Sequence, residues 1–521
     1  MRICLYSLCM FIFLMSILIL VSCADDKEPI VQYTTVDRSV VVSPDYKGVV
    51  IPPNIAPLNF MIDETAEKYY VKIHSRNGNP IEVFSSTPKI IIPQKPWNTL
   101  LNINRGNELV LDIYAMDQSR TWTRFNSIIN TVSQDRIDDF IVYRRMNPTH
   151  THLTGRMAIF CRNLSDYDEK LILDNESLRG GCLNCHAFAN NCPDKMLLGI
   201  RGYRAYGTST LLVEDEEVNR IDTKFGYTSW HPSERLAAYS INYLPMMYHL
   251  SRTETRDTID VDSLIAYYQL DTQTVKAVEP YAKKDRLETW PVWSADGKYL
   301  YSCNAPKLWS GKKLIDVVKH YKDVKYDLVR ASYDIDNDKW GSLETVISAE
   351  KTGMSISMPR TSPDGRWLTF CMADYGYFPP WNPTSDIYIM DIRNSDNAFR
   401  KLSLSSDKSE GWRSFSSNSR WIAFSSKRDN GVFTRTYFSY IDDNGNASKP
   451  FVMPQKDPVY YDSCLDTFTV PELITEEVTV TGKKLLSAVR RSEKIDIDMP
   501  ITMATPRKDG SITKPHEDGF E

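Results

Sequence analysis

The chain has 521 residues and none of the short motifs that mark hydrolases or nucleotide enzymes. There is no Gly-x-Ser-x-Gly, no glycine-rich loop ending in Gly-Lys-Ser or Gly-Lys-Thr, and no His-Glu-x-x-His. A recognisable hydrolase is therefore not expected, and no catalytic residue is assigned. The chain also lacks a basic cluster. Lysine and arginine are spread along it and the net charge is only −5, which argues against a nucleic-acid partner. Past the first 22 residues no run is apolar for long enough to cross a bilayer. What remains is an ordinary globular composition, 42% apolar and 25% charged, on a chain long enough for two domains.

The N-terminus is the informative exception. Met1-Arg2 leads into an apolar run from Ile3 to Val21, followed by Ser22-Cys23. That is the build of a secretory signal. A transmembrane anchor is the alternative, but the ending Leu20-Val21-Ser22-Cys23 resembles a bacterial lipobox. Residues 1–22 are then a lipoprotein signal peptide, and Cys23 becomes the lipidated N-terminus that ties the protein to a membrane. The acidic Asp25-Asp26 that follows is either a surface-export signal or simply polar linker. Residues 23–47 read as a linker. Export places Cys161, Cys182, Cys185, Cys192, Cys303, Cys371 and Cys464 in an oxidising compartment.

Residues 48–130 alternate short β-rich runs with turns, as in "YYVKIHS", "RNGNP" and "ELVLDIYAMD". This pattern predicts a β-sandwich. From about residue 135 a repeat begins. "WHPSERLAAYS" at Trp230, "WSADGKYLYSC" at Trp293, "TSPDGRWLTFC" at Thr361 and "FSSNSRWIAFS" at Phe415 align without gaps. Each is followed by a second strand running into an acidic or Asn-rich turn. A four-stranded unit repeated in this way is a β-propeller blade. Two more copies fit upstream, so the expected fold is all-β: a sandwich followed by a propeller of about six blades over 135–475. Residues 483–521 read as a disordered tail.

One segment stands apart: "RGGCLNCHAFANNCPDKM", residues 179–196, expected as an insertion between blades. Cys182, Cys185 and His186 form Cys-x-x-Cys-His, the attachment motif of haem c. The two cysteines would form thioethers and His186 would bind the iron. Met196 is the candidate distal ligand, with His150, His152 and His249 as alternatives. A disulfide within Cys182, Cys185, Cys192 and Cys161 is a second reading. A zinc site built from Cys182, Cys185, His186 and Cys192 is a third. A thioredoxin-like dithiol needs a βαβ setting that this β-rich sequence lacks.

Three weaker features complete the reading. Cys303 and Cys371 occupy one blade position, where Ser240 and Ser425 stand in other copies, and read as small buried strand residues. "DIDNDKWG" at Asp334 begins like a calcium loop but lacks its sixth-position Gly and twelfth-position Glu, so it reads as a hairpin turn. The loop "YGYFPPWNP", residues 375–383, is either a binding lip or a packed loop.

The repeats, the lipobox, "IDDFIVYR", "RNLSDYDE" and "CLNCHAFANNCPDKM" together resemble the TolB-like (WD40-like, PD40-repeat) propeller lipoproteins of Gram-negative bacteria, over roughly residues 48–475. In that group a histidine often follows the Lys-Met segment, and here Gly199 stands in its place. The resemblance implies an outer-membrane envelope lipoprotein, facing the periplasm or the surface. Combined with the Cys-x-x-Cys-His segment, the expectation is a propeller carrying one covalent haem c for electron transfer or redox sensing. The alternative is a non-enzymatic propeller that binds a protein or glycan, with the cysteine pair as a structural disulfide.

Overall fold

A short turn is repeated around the molecule with nearly the same chemistry each time. In "SPDGRW" the Ser362 hydroxyl accepts a hydrogen bond from the Trp367 backbone N–H (2.9 Å), and Asp364 accepts from the Arg366 N–H (3.1 Å). Gly365 sits between them at φ 68°. Ser294, Asp296 and Gly297 repeat the arrangement, as do Ser416, Asn418 and Ser419. A Ser-x-Asp/Asn pair followed by a residue tolerant of the left-handed region closes a tight turn. The aromatic residue after it then starts the next strand. This local chemistry accounts for the gapless alignment of the repeats.

The computed structural model describes residues 32–147, 155–202, 207–223, 225–249, 256–310, 314–394, 396–491 and residue 495. Residues 1–22, expected as a signal peptide, lie outside the described residues, as do Cys23, His150 and His152. Each repeat is a four-stranded antiparallel sheet, and six such sheets form a propeller. Blade 1 spans 181–221, blade 2 spans 226–277, blade 3 spans 286–347, blade 4 spans 355–401 and blade 5 spans 410–452. Blade 6 is composite: its three outer strands, Phe140–Met146, Met157–Asn163 and Glu169–Asp174, come from early in the chain, and its inner strand, Thr467–Ile474, comes from late. Ile141 pairs with Leu473 and Met146 with Thr467 across that seam, which closes the ring. Among the described residues no helix is long and apolar enough to cross a membrane.

The inner strands share a β-bulge. The register slips by one residue between Gly226 and Ser229, Thr289 and Val292, Ser357 and Arg360, Glu410 and Arg413, and opposite Val142–Arg144 in the closing blade. Tyr227, Trp290, Met358 and Val470 sit on these bulges at φ 51°, 57°, 49° and 53°. Bulky residues rarely adopt that region. Here the ladder on either side holds them in it.

The N-terminal domain has a seven-stranded mixed sheet facing a three-stranded one, with a buried core between them. Three expectations are corrected. Residues 34–43 are not linker: Thr34–Ser39 pairs in parallel with Trp122–Asn126, and Val42–Ser43 pairs with Phe60–Ile62. The domain contains a helix, Gln94–Ile103, that buries Trp97, Leu100 and Leu101. At the other end, Gly482–Arg490 is a helix capped by Thr481, with Leu485, Ala488 and Val489 buried against blades 1 and 6. The tail beyond 491, apart from Ile495, lies outside the described residues. The domain docks on the face of the propeller that carries the Ser-x-Asp turns. Asp138 accepts from Ser417 N and Oγ (2.9 and 2.6 Å), and Trp421 Nε1 donates to the Asp135 carbonyl (3.2 Å). The opposite face carries the connections between second and third strands, as described for 244–249, 256–261 and 374–385.

Candidate functional site

The Cys-x-x-Cys-His segment is not an excursion. Residues Gly181–Ala189 form the inner strand of blade 1, paired along its length with Cys192–Gly202. The register slips between Leu183 and His186, so Asn184-Cys185 occupy the bulge that Tyr227-Thr228 and Trp290-Pro291 occupy in blades 2 and 3. Asn190 and Asn191, at φ 49° and 59°, are the two central residues of the hairpin turn that follows, the position where Asn tolerates the left-handed region.

Cys182 is a free thiol, 4% exposed, in the core between blades 1 and 6. His186 is 2% exposed, and neither ring nitrogen has a hydrogen-bond partner. The carbonyls of Val142 and Val470 lie near the ring without hydrogen-bond geometry. Burial pushes the His186 pKa down to about 4, with Glu472 opposing and Arg144 assisting, so the imidazole is neutral. Met196 is buried opposite Phe188, and His186 pairs with Leu198. Alternation puts His186, Phe188, Leu198 and Met196 on one face of the sheet. A haem would need His186 and Met196 on opposite sides of the ring. Here they stand side by side, packed against the next blade. As folded, His186 and Met196 do not fit as the two iron ligands of one haem, and Cys182 forms no disulfide among the described residues. Among the described residues no group of three or more His, Cys, Asp or Glu side chains could hold a metal ion. Cys303 and Cys371 are buried strand residues, as expected, and Ser425 matches them in blade 5: Cys371 Sγ and Ser425 Oγ each point to a carbonyl on the inner strand of the next blade, Glu410 and Phe468. Asp334 closes a turn by accepting from the Asp336 and Asn337 N–H groups.

The end of the channel away from the Ser-x-Asp turns is built differently. Tyr227, Trp290 and Trp412, from three inner strands, converge there: the Tyr227 and Trp290 ring centres are 3.6 Å apart, and those of Trp290 and Trp412 are 5.2 Å apart. The loop after the second strand of blade 4 lies over them. Trp290 Nε1 donates to the Tyr377 carbonyl (3.0 Å), and the Tyr227 and Tyr377 hydroxyls meet at 3.3 Å. Pro379 and Pro380 stiffen this loop as a 3-10 turn, leaving Tyr375, Phe378 and Trp381 partly exposed. Beneath the aromatic plug lies a charged layer in which Arg360 pairs with Glu472 at 2.8 Å.

Beside the plug, a two-stranded hairpin of blade 2, Met246–Tyr248 with Arg256–Thr258, leans on the same loop. The Arg256 guanidinium stacks 4.5 Å from the centre of the Trp381 ring. Asp257 accepts from Tyr321 (3.2 Å) and Tyr375 (3.3 Å) and faces His249 at 2.8 Å. His249 is therefore a hydrogen-bond partner of Asp257 and not near the Cys-x-x-Cys-His segment. Deeper, Asp260 accepts from Ser263 (2.6 Å) and Tyr326 (3.2 Å), and burial raises its pKa to about 7. Sequence reading found the aromatic loop but missed Asp257 and Asp260. Nothing local in "DTIDVDS" marks them, because the tyrosines they accept from, Tyr321, Tyr326 and Tyr375, come from blades 3 and 4.

No family model and no curated protein matches the chain. Among solved structures it is similar to prolyl oligopeptidase B from Galerina marginata, at 11% identity over 77% of this chain and 54% of that one, with a TM-score of 0.34. It is also similar to a GH74 xyloglucanase from Xanthomonas campestris, at 11% identity over 60% of this chain and 46% of that one, with a TM-score of 0.33. A third is an auxiliary nutrient binding protein from Bacteroides thetaiotaomicron, at 11% identity over 76% of this chain and 99% of that one, with a TM-score of 0.31. The chain spans about half the length of the prolyl oligopeptidase. Likeness at this level carries no argument about activity.

Proposed function

We propose that the chain is a non-catalytic binding propeller of the TolB-like lipoprotein kind. It is held at the bacterial outer membrane through lipid on Cys23 and takes a protein or glycan partner on the face opposite the Ser-x-Asp turns. The observation that carries this reading is the Pro-stiffened loop 375–382 at the mouth of the channel. It presents Tyr375, Phe378 and Trp381 partly exposed next to the exposed Tyr248 of the blade 2 hairpin. Rigid aromatic side chains with one apolar face and a polar edge give large contact area at low entropic cost. The N-terminal domain is anchored at the turns of the other face, through Asp138 on Ser417 and Trp421 on Asp135.

Electron transfer through haem is the less supported reading. It would require the inner strand of blade 1 to leave its sheet before Cys182 could be reached.

The test compares wild type with Trp381→Ala in capture from an envelope extract and on a glycan array. Wild type should retain a partner that Trp381→Ala loses by about tenfold or more, the loss expected for an interface anchor. Equal capture by both proteins would refute the loop as the binding lip.

A further inference from the structure

A small cavity lies under the blade 2 hairpin, beside the aromatic plug. Its volume is about 20 Å³, enough for one water-sized group. Asp257, Thr258 and Asp260 line one side, and Trp309, Tyr321 and Phe378 line the other. Asp260 is 3% exposed; its Oδ2 is satisfied by Ser263 and Tyr326, while its Oδ1 has no partner, the Asn242 amide lying near the carboxylate without hydrogen-bond geometry. The buried Thr258 hydroxyl has none either. No lysine or arginine is among the described residues that line the cavity. A buried carboxylate oxygen left unpaired is costly, and a cation placed against it removes the cost.

The walls choose among cations. A hard divalent ion takes six or more oxygens, usually several of them carboxylate. Among the described residues only two carboxylates line the space, and one of them, Asp257, already serves His249 and two tyrosines. A guanidinium or a quaternary ammonium exceeds one water in size. A primary ammonium matches it, carries three donors for Asp260 Oδ1 and Thr258 Oγ1, and is attracted to aromatic faces.

We propose that this cavity binds the primary ammonium head of a ligand, from either a lysine side chain or a chain's amino terminus. The proposal rests on the face opposite the Ser-x-Asp turns being a binding surface and names the chemical group that surface recognises.

The full-length protein is melted with increasing n-butylammonium chloride against sodium chloride at matched ionic strength. Tetramethylammonium and calcium chloride serve as controls. n-Butylammonium should raise the melting temperature saturably, and tetramethylammonium should not. Asp260→Asn should shift the half-saturating concentration at least tenfold upward. If Asp260→Asn fails to fold, Thr258→Val carries the test and should weaken saturation several-fold. Saturation by calcium alone would make this a metal site and overturn the proposal. No saturation by any cation would leave only a water and also overturn it, as would unchanged n-butylammonium saturation in the folded variant. Nα-acetyl-lysine amide competing where glycinamide does not would support the proposal with lysine as the source; the reverse would support it with the amino terminus. Trp381 does not line the cavity, so Trp381→Ala should lose partner capture yet keep n-butylammonium saturation. Failure of one measurement without the other then separates this proposal from the general binding reading.

Discussion

Replacing His186 with leucine should stabilise the protein, the reverse of what replacing a metal- or haem-binding histidine would do. His186 is buried with both ring nitrogens unpartnered. A buried polar group without a hydrogen bond costs about 1–3 kcal/mol, and leucine carries no such group. The expected gain at pH 7.5 is therefore about 1–2 kcal/mol. The gain should grow in acid. The folded-state pKa is lowered from 6.5 to about 4 by burial. Between those two values the unfolded chain binds a proton that the folded chain does not, so wild-type stability falls as pH falls through this window. One pH unit corresponds to about 1.4 kcal/mol, so at pH 5 wild type has lost about 2 kcal/mol that His186→Leu has not. Asp260 and Glu288 titrate in the opposite sense. Burial raises them to about 7 and about 9, so each costs stability as pH rises from its unfolded value toward its folded one. They are common to both proteins and cancel in the difference. Thermal melts of the two proteins at pH 7.5 and pH 5 provide the measurement. A variant less stable than wild type by 1 kcal/mol or more at pH 7.5, or a difference that shrinks in acid, would refute the reasoning and return His186 to the role of a ligand.

Two further outcomes follow. Purified after coexpression with a haem c maturation system, the protein should be colourless, and Cys182 should react with a thiol reagent only after unfolding; a haem stain that survives denaturing electrophoresis would overturn this. Ending the chain before residue 467 removes the inner strand of blade 6, and the truncated protein should lose cooperative unfolding altogether; a melt as sharp as that of the full chain would argue against ring closure.

The propeller could be read from the chain because its turns are local. "SADGKY" and "SPDGRW" contain both hydrogen-bonding side chains and the left-handed residue within six positions, so the repeat shows without knowledge of the fold. Thr34–Ser39 could not be read in the same way. Its pattern is almost wholly exposed, and what makes it a strand is a parallel partner, Trp122–Asn126, far along the sequence. The helix 94–103 did carry a signal: Trp97, Leu100 and Leu101 follow helical spacing after Pro93. It was obscured by the β-rich runs on both sides. The Cys-x-x-Cys-His segment misled for a related reason. Its residue types spell a cofactor motif, but its environment is set by register. The slip that buries His186 is fixed by pairing with the neighbouring strand and by packing on blade 6, and neither is visible in residues 179–196.

The seam in blade 6 sets a schedule for the chain. Phe140–Met146 is made early, yet the strand that covers its free edge ends at Ile474, more than three hundred residues later. As the chain is made, blades 1 to 5 are completed one after another while that edge stays unpaired, with Ile141, Val142 and Tyr143 uncovered. An unpaired apolar edge is a template for wrong partners. The vulnerable species is therefore the nearly complete chain, with every other blade in place and the last strand still inside. The final segment acts as the clasp that turns an open, association-prone arc into a ring.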